Sequence, residues 1–262
     1  MSERREESRK PIHDRALLLH GPKRNEMLTL REVQQYGIDS FSDSDYIQLF
    51  GMKPTEWYAR GIRLLGRTVV ECTRDSLGDR IGCDVASIAA LLPLQTQFVV
   101  IDPFAGSCNT LYWILRHVPR SAGVAFELDP QVYELSRHNL AGLDETIELR
   151  LGDYQSRLED SELPRDHAII IFVAPPWGDA FDEVNGLDLR RTAPPVTDIV
   201  MRIGRKFPDH KILFATQVYE KVNPESLAEL QVILDWSELR IYDLNISGRN
   251  HGLLLGTKGW KP

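Results

Sequence analysis

The sequence predicts an α/β fold: a doubly wound, mostly parallel, seven-stranded sheet with helices on both faces, preceded by a helical extension. Two observations predict it. From residue 97 onward, short apolar runs alternate with helix-length segments, the rhythm of parallel strands joined by right-handed crossovers. The residues best suited to bind a ligand cluster where those runs end, and open α/β sheets bind ligands at the carboxyl ends of their strands.

The runs 98–101, 123–128, 146–151, 168–173 and 211–216 are short and largely apolar, as strands buried on both faces are. Between them lie helix-like segments at 111–116, 130–140 and 196–206. The segments 238–246 and 252–257 close the sheet as a hairpin around Ser247-Gly248-Arg249-Asn250. Ahead of the sheet, residues 13–94 read as mainly helical. Leu28, Val33 and Tyr36 form one apolar stripe, and Tyr58, Ile62 and Leu65 form another. Asp84 is placed to N-cap a helix running to Leu92, which Pro93 follows. Residues 1–12 are charged and are expected to be a disordered tail. The expected domain spans 95–262.

Composition narrows the classes. Hydrophobic residues make up 42% and charged residues 26%, ordinary for a soluble globular protein. No apolar run approaches the roughly 20 residues that cross a bilayer, and the charged start MSERREESRK is not a secretory signal. A cytoplasmic protein that uses no membrane is the expectation. The 3 cysteines form no CxxC pair and the 7 histidines keep no ligand spacing, so neither a metal nor a disulfide framework is expected. Residues 1–94 carry as many acidic as basic side chains, so the net charge of −7 falls on the remainder. That balance disfavours a large nucleic-acid footprint, which takes its affinity from basic residues on phosphates.

Four candidate corners follow in order. Val99-Val100-Ile101-Asp102 leads through Pro103-Phe104-Ala105-Gly106-Ser107-Cys108 into a helix, exposing backbone N–H groups to a ligand. It lacks the three glycines of a pyrophosphate binder, so a neutral or zwitterionic ligand tail fits better. Next, Glu127 stands about 20 residues past the glycine turn, where a carboxylate accepts from ribose hydroxyls. Asp129, just before Pro130, reads as a helix N-cap. Asp153, at the end of the third run, is placed either to accept from an adenine amino group or to cap a turn. Last comes Ala174-Pro175-Pro176-Trp177. Its prolines fix the chain, with carbonyls to accept from a planar amine and an indole to cover the ring. A turn packed on the core is the competing reading of this corner.

These motifs carry a family resemblance. Asp102-Pro103-Phe104-Ala105-Gly106-Ser107-Cys108-Asn109-Thr110 resembles the DPFxGSGxT loop of amino-methyltransferases acting on nucleic acids, and Ala174–Trp177 resembles their (D/N/S)PP(Y/F/W) motif. More narrowly, the chain resembles the trimethylguanosine synthase family, Rossmann-like class I methyltransferases that modify the guanine N2 of capped RNA. Trp57-Tyr58-Ala59, Arg63-Leu64-Leu65-Gly66-Arg67 and Leu187-Asp188-Leu189-Arg190 echo further segments of that family. The resemblance implies S-adenosylmethionine as cofactor. Asp102, Phe104, Ala105, Gly106, Asn109, Thr110 and Ala174 would hold it, with Glu127 on the ribose and Asp153 on the adenine. Pro175, Pro176 and Trp177 would form the catalytic corner, with Trp177, Asp179 and Arg190 on the substrate. Three departures stand out. Cys108 replaces a loop glycine, Ala174 replaces the Asp, Asn or Ser that helps hold the amine, and Asp179 replaces a second glycine. The expected partner is guanine-containing RNA. A small heterocycle of specialised metabolism is the alternative, and a catalytically silent cofactor- or RNA-binding module the third reading.

Overall fold

A computed structural model describes residues 15–143, 147–159, 162–182, 184–243 and 250–262. Five helices come first: α1 (Arg15–His20), α2 (Leu30–Phe41), α3 (Pro54–Ala59), α4 (Gly66–Glu71) and α5 (Asp75–Ala89). Thr29 caps α2 in a capping box with Glu32, each side chain bonding the other's backbone N–H. Leu28, Val33 and Tyr36 are all buried, as their spacing predicts. Ile62 and Leu65 are buried too, but α3 has already ended at Ala59, so the second stripe is only partly helical.

The sheet domain runs β1 (Gln97–Asp102), α6 (Asn109–His117), β2 (Ser121–Glu127), α7 (Pro130–Leu140), β3 (Ile147–Leu151), α8 (Tyr154–Glu159) and β4 (His167–Val173). A small ribbon of β5 (Phe181–Asp182) and β6 (Gly186–Leu187) interrupts. Then follow α9 (Val196–Lys206), β7 (Ile212–Tyr219), α10 (Pro224–Val232), β8 (Trp236–Tyr242) and β9 (His251–Lys258). The strand order is β3-β2-β1-β4-β7-β9-β8. The first five are parallel and β9 is antiparallel to both its neighbours. This is a seven-stranded, mostly parallel Rossmann-like sheet, as the sequence predicts. Residues 1–12, Thr146 and most of the proposed hairpin turn lie outside the described residues.

Alternating residues of each central strand enter opposite cores, which is why those strands read as continuous apolar runs. Val100, Ile170 and Leu213 pack toward α5 and α6. Ile101, Ile171 and Phe214 pack toward α8 and α9. The N-terminal helices join the first of these cores, with Trp57 fully buried and its indole N–H donating to the Ile47 carbonyl at 2.9 Å. The extension is thereby part of the domain's core.

Asp84 does not cap a helix. It sits inside α5, where its carboxylate accepts from the Tyr242 hydroxyl and pairs with Arg240, each at 2.6 Å. The helix begins nine residues earlier, at Asp75, so Asp84 falls on a face that meets β8. No described helix is long and apolar enough to cross a membrane.

Candidate active site

Strand order places the site. β2 and β3 lie to one side of β1 and β4 lies to the other, so the chain reverses direction across the sheet between β1 and β4. The loop after β1 and the Pro-Pro corner after β4 therefore leave adjacent strands at the same edge.

Asp102 ends β1, almost fully buried, and accepts the Phe104 N–H at 2.9 Å. Burial pushes its carboxyl up to about 7, and nearby Glu127 adds to the rise. Gly106 has φ +49, and a Cβ there would meet nothing nearer than the Phe104 carbonyl at 4.0 Å, so the space over the loop is open. Its N–H donates to Glu127 Oε2 at 2.9 Å, while Glu127 Oε1 accepts from the Asp129 N–H at 2.8 Å. An ionised carboxylate offers about four lone-pair sites, so both oxygens keep capacity for further donors. Burial raises the Glu127 pKa as well. Asp129 caps α7 through the Gln131 and Val132 N–H groups, as its sequence position implies, and pairs with Arg67 at 2.7 Å. The buried Arg67 belongs to one of the echoed family segments.

Cys108 takes φ +62, a left-handed conformation that favours glycine. The chain adopts the glycine geometry without glycine. The thiol is buried within the core beneath the sheet's α5–α6 face, so this departure leaves the open side of the loop unchanged. Asn109 is also turned inward. Its Oδ1 accepts the Phe50 N–H at 2.8 Å, and its Nδ2 donates to the Thr73 carbonyl at 2.7 Å and to Asp75 at 3.1 Å. Its side chain therefore clamps the extension to the loop and does not face a ligand, contrary to the expected cofactor contact. Asp75 completes the clamp by accepting from the Gly51 N–H and the Trp113 indole. Thr110 is buried in the first turn of α6, and Ala105 is buried with its N–H donating to the Phe126 carbonyl. Phe104, half-buried, packs edge-on against Tyr154 at 5.3 Å. Asp153 is exposed and accepts the Gln155 N–H at 2.9 Å, the capping role that was the competing reading of its position. Leu128, just past the end of β2 and beside Glu127, is 71% exposed, an apolar side chain with no motif to mark it.

At the Pro-Pro corner Ala174 is half-buried, Pro175 buried and Pro176 exposed. Trp177, half-buried, stands among aromatic rings. Phe181 is 5.9 Å away and nearly parallel, His251 is 5.5 Å away, and Tyr219 is edge-on at 6.4 Å. Asp179 is exposed on the turn Gly178–Ala180. Arg190 is not poised for a substrate. Asp188 grips its guanidinium with two bonds of 2.9 Å, and Glu225 and Glu229 from α10 each pair with it at 3.2 Å. Those two carboxylates come from 35 and 39 residues away in the chain, so spacing alone could not reveal that the charge is spent.

Histidine spacing gave no metal signal. In space, however, ligand atoms of Asp79, Cys83 and His117 lie within 4.8 Å of one another. His117 Nε2 is 2.8 Å from Asp79, a contact that ties α6 to α5.

No protein-family model matches the chain, and no curated protein sequence matches it. Among solved structures it is similar to a methyltransferase from Geobacter sulfurreducens, at 18% identity over 72% of this chain and 81% of that one, with a TM-score of 0.45. It is similar to the METTL16 methyltransferase domain at 14% identity, covering 74% and 72%, with a TM-score of 0.49. A human methyltransferase 10 domain containing protein gives 13% identity, 71% and 84%, and 0.44.

Proposed function

We propose that this chain is an S-adenosylmethionine-dependent methyltransferase whose acceptor is a nitrogen of a guanine-like ring. The observation that carries the reading is the pairing of Asp102 and Glu127 around an open loop. Both carboxylates are raised by burial, Asp102 to about 7. Such a site holds negative charge at a cost that a cation relieves. S-adenosylmethionine, when bound, supplies an activated methyl group on a cationic sulfonium, together with an ammonium and two ribose hydroxyls. Glu127 would take the hydroxyls, the backbone around Gly106 the amino-acid end, and Leu128 one face of the adenine. Asp153 is proposed for the adenine amino group through its remaining oxygen.

The corner Ala174–Trp177 would orient the acceptor. Its carbonyls accept from the amine while the aromatic cluster holds the ring. Catalysis is then mainly alignment. The nitrogen–methyl bond would form as the methyl–sulfonium bond breaks and the neutral thioether leaves, and the acceptor nitrogen's proton would pass to water, the carbonyls only holding its N–H groups in hydrogen bonds. Guanine-containing RNA of the trimethylguanosine synthase type is the substrate the resemblance suggests. A small heterocycle is the second reading, favoured by Arg190, whose charge is neutralised by three carboxylates and so is withdrawn from phosphate binding. Methyl transfer from tritium-labelled cofactor to RNA and to a metabolite extract separates these readings. Label in RNA supports the first, label in a small molecule the second, and label in neither the silent module.

Cofactor binding should depend on pH through Asp102. Its folded pKa lies above the ordinary carboxylate value, so the folded protein holds this proton more tightly than the unfolded chain does. Stability from this group therefore falls as pH rises from about 4 to about 7. Affinity for a cationic ligand runs the other way, because the ionised carboxylate binds it. Between pH 6.5 and pH 8 the ionised fraction of a group with a pKa near 7 rises about fourfold. Calorimetric affinity for S-adenosylmethionine should rise by a similar factor, and Asp102→Asn should flatten the profile.

A further inference from the structure

The aromatic cluster at the sheet edge includes an imidazole beside the Trp177 indole, and its neighbours bear on which of its nitrogens carries the proton. His251 begins β9, and because β9 runs antiparallel it arrives opposite Tyr219, at the ligand-binding edge. The Thr73 hydroxyl donates to Gln217 Oε1 at 3.1 Å, which leaves the amide nitrogen on the side of His251. Gln217 Nε2 then faces His251 Nδ1 at 3.3 Å and donates to it. A nitrogen that receives a hydrogen bond is the bare one, so the ring proton sits on Nε2. Thr73 is itself anchored, its carbonyl accepting from Asn109 of the cofactor loop at 2.7 Å. Burial, with Arg74 and Arg15 nearby, holds the imidazole's pKa down to about 4, so the ring is neutral at pH 7. Nε2 meets no partner among the described residues, and it is not one of the buried atoms sealed from solvent.

We infer that His251 is a hydrogen-bond donor in the acceptor pocket, and that the pocket takes planar neutral heterocycles bearing a carbonyl oxygen or bare ring nitrogen. The inference rests on the methyltransferase reading above. Phe181 and Tyr219 pack beside the half-buried Trp177, whose indole is the ring next to His251, and an aromatic ring takes flat molecules with little selectivity. His251 adds the selective element, because a ring without an acceptor atom leaves Nε2–H unpaired when water is excluded. It acts as a specificity residue and not as a base, since its accepting nitrogen is occupied by Gln217.

Two measurements on the full chain test this. Long-range proton–nitrogen NMR with labelled histidine at pH 7 should show His251 protonated on Nε2 and bare on Nδ1. Calorimetry with guanosine in the presence of S-adenosylhomocysteine should show binding that His251→Ala weakens at least tenfold, while affinity for S-adenosylhomocysteine changes less than twofold. Gln217→Glu keeps the volume but accepts from Nδ1–H, reversing the tautomer, and should weaken guanosine comparably. An Nδ1–H tautomer in the native chain overturns the inference. So does guanosine affinity untouched by His251→Ala, or no guanosine binding to a protein that binds S-adenosylhomocysteine. A chain that binds neither ligand refutes the methyltransferase reading itself, and this inference falls with it.

Discussion

Trp177→Ala is expected to abolish methyl transfer or raise the acceptor KM by more than an order of magnitude, with cofactor affinity changed less than threefold. The indole is the central ring of the cluster it forms with Phe181, Tyr219 and His251. Stacking a base on an aromatic ring is worth about 1–3 kcal/mol, or up to roughly a hundredfold in affinity. Because the side chain is only half-buried, its removal should lower Tm by a few degrees and leave the fold intact. Trp177→Phe should keep part of the activity, since a smaller ring still offers a face. Normal kinetics in a strongly destabilised Trp177→Ala protein would make the residue purely a packing element. The acceptor would then have to bind elsewhere along the edge.

Glu127→Ala should weaken S-adenosylhomocysteine at least tenfold. Charge-assisted hydrogen bonds contribute about 1.5–3 kcal/mol each, and Glu127 is proposed to make them to the ribose. The same carboxylate also accepts the Gly106 and Asp129 N–H groups. Its loss therefore loosens the loop as well as the ligand. Glu127→Gln separates the two contributions. Its side-chain carbonyl can accept one of those N–H bonds, whereas its amide nitrogen donates and cannot accept. Glu127→Gln should therefore fall between the wild type and alanine in affinity. Equal affinity for all three proteins would remove Glu127 from the cofactor site.

The sheet was legible because its central strands are buried on both faces and read as unbroken apolar runs. β1, β2, β4 and β7 each lie within three residues of the expected span at either end. The α7 helix was legible from Asp129-Pro130, a cap followed by a first-turn proline. Features that depend on distant residues were not. Asn109 sits in a loop motif whose family resemblance implies a ligand contact, yet Phe50, Thr73 and Asp75 claim its side chain. The resemblance puts Arg190 on the substrate, but the carboxylates that neutralise it come largely from α10. His251 carried no motif at all. Only the antiparallel pairing of β9 with β7 brings it to the site. Asp84 has a capping side chain yet sits mid-helix, because α5 starts earlier than the apolar pattern suggests.

The central claim is that the open loop between Asp102 and Asn109, with Glu127 opposite, binds S-adenosylmethionine. Titration calorimetry of the native chain with S-adenosylhomocysteine at pH 8 tests it most directly. The site's geometry predicts saturable one-to-one binding in the micromolar range. A folded protein that shows no binding at millimolar ligand would contradict it.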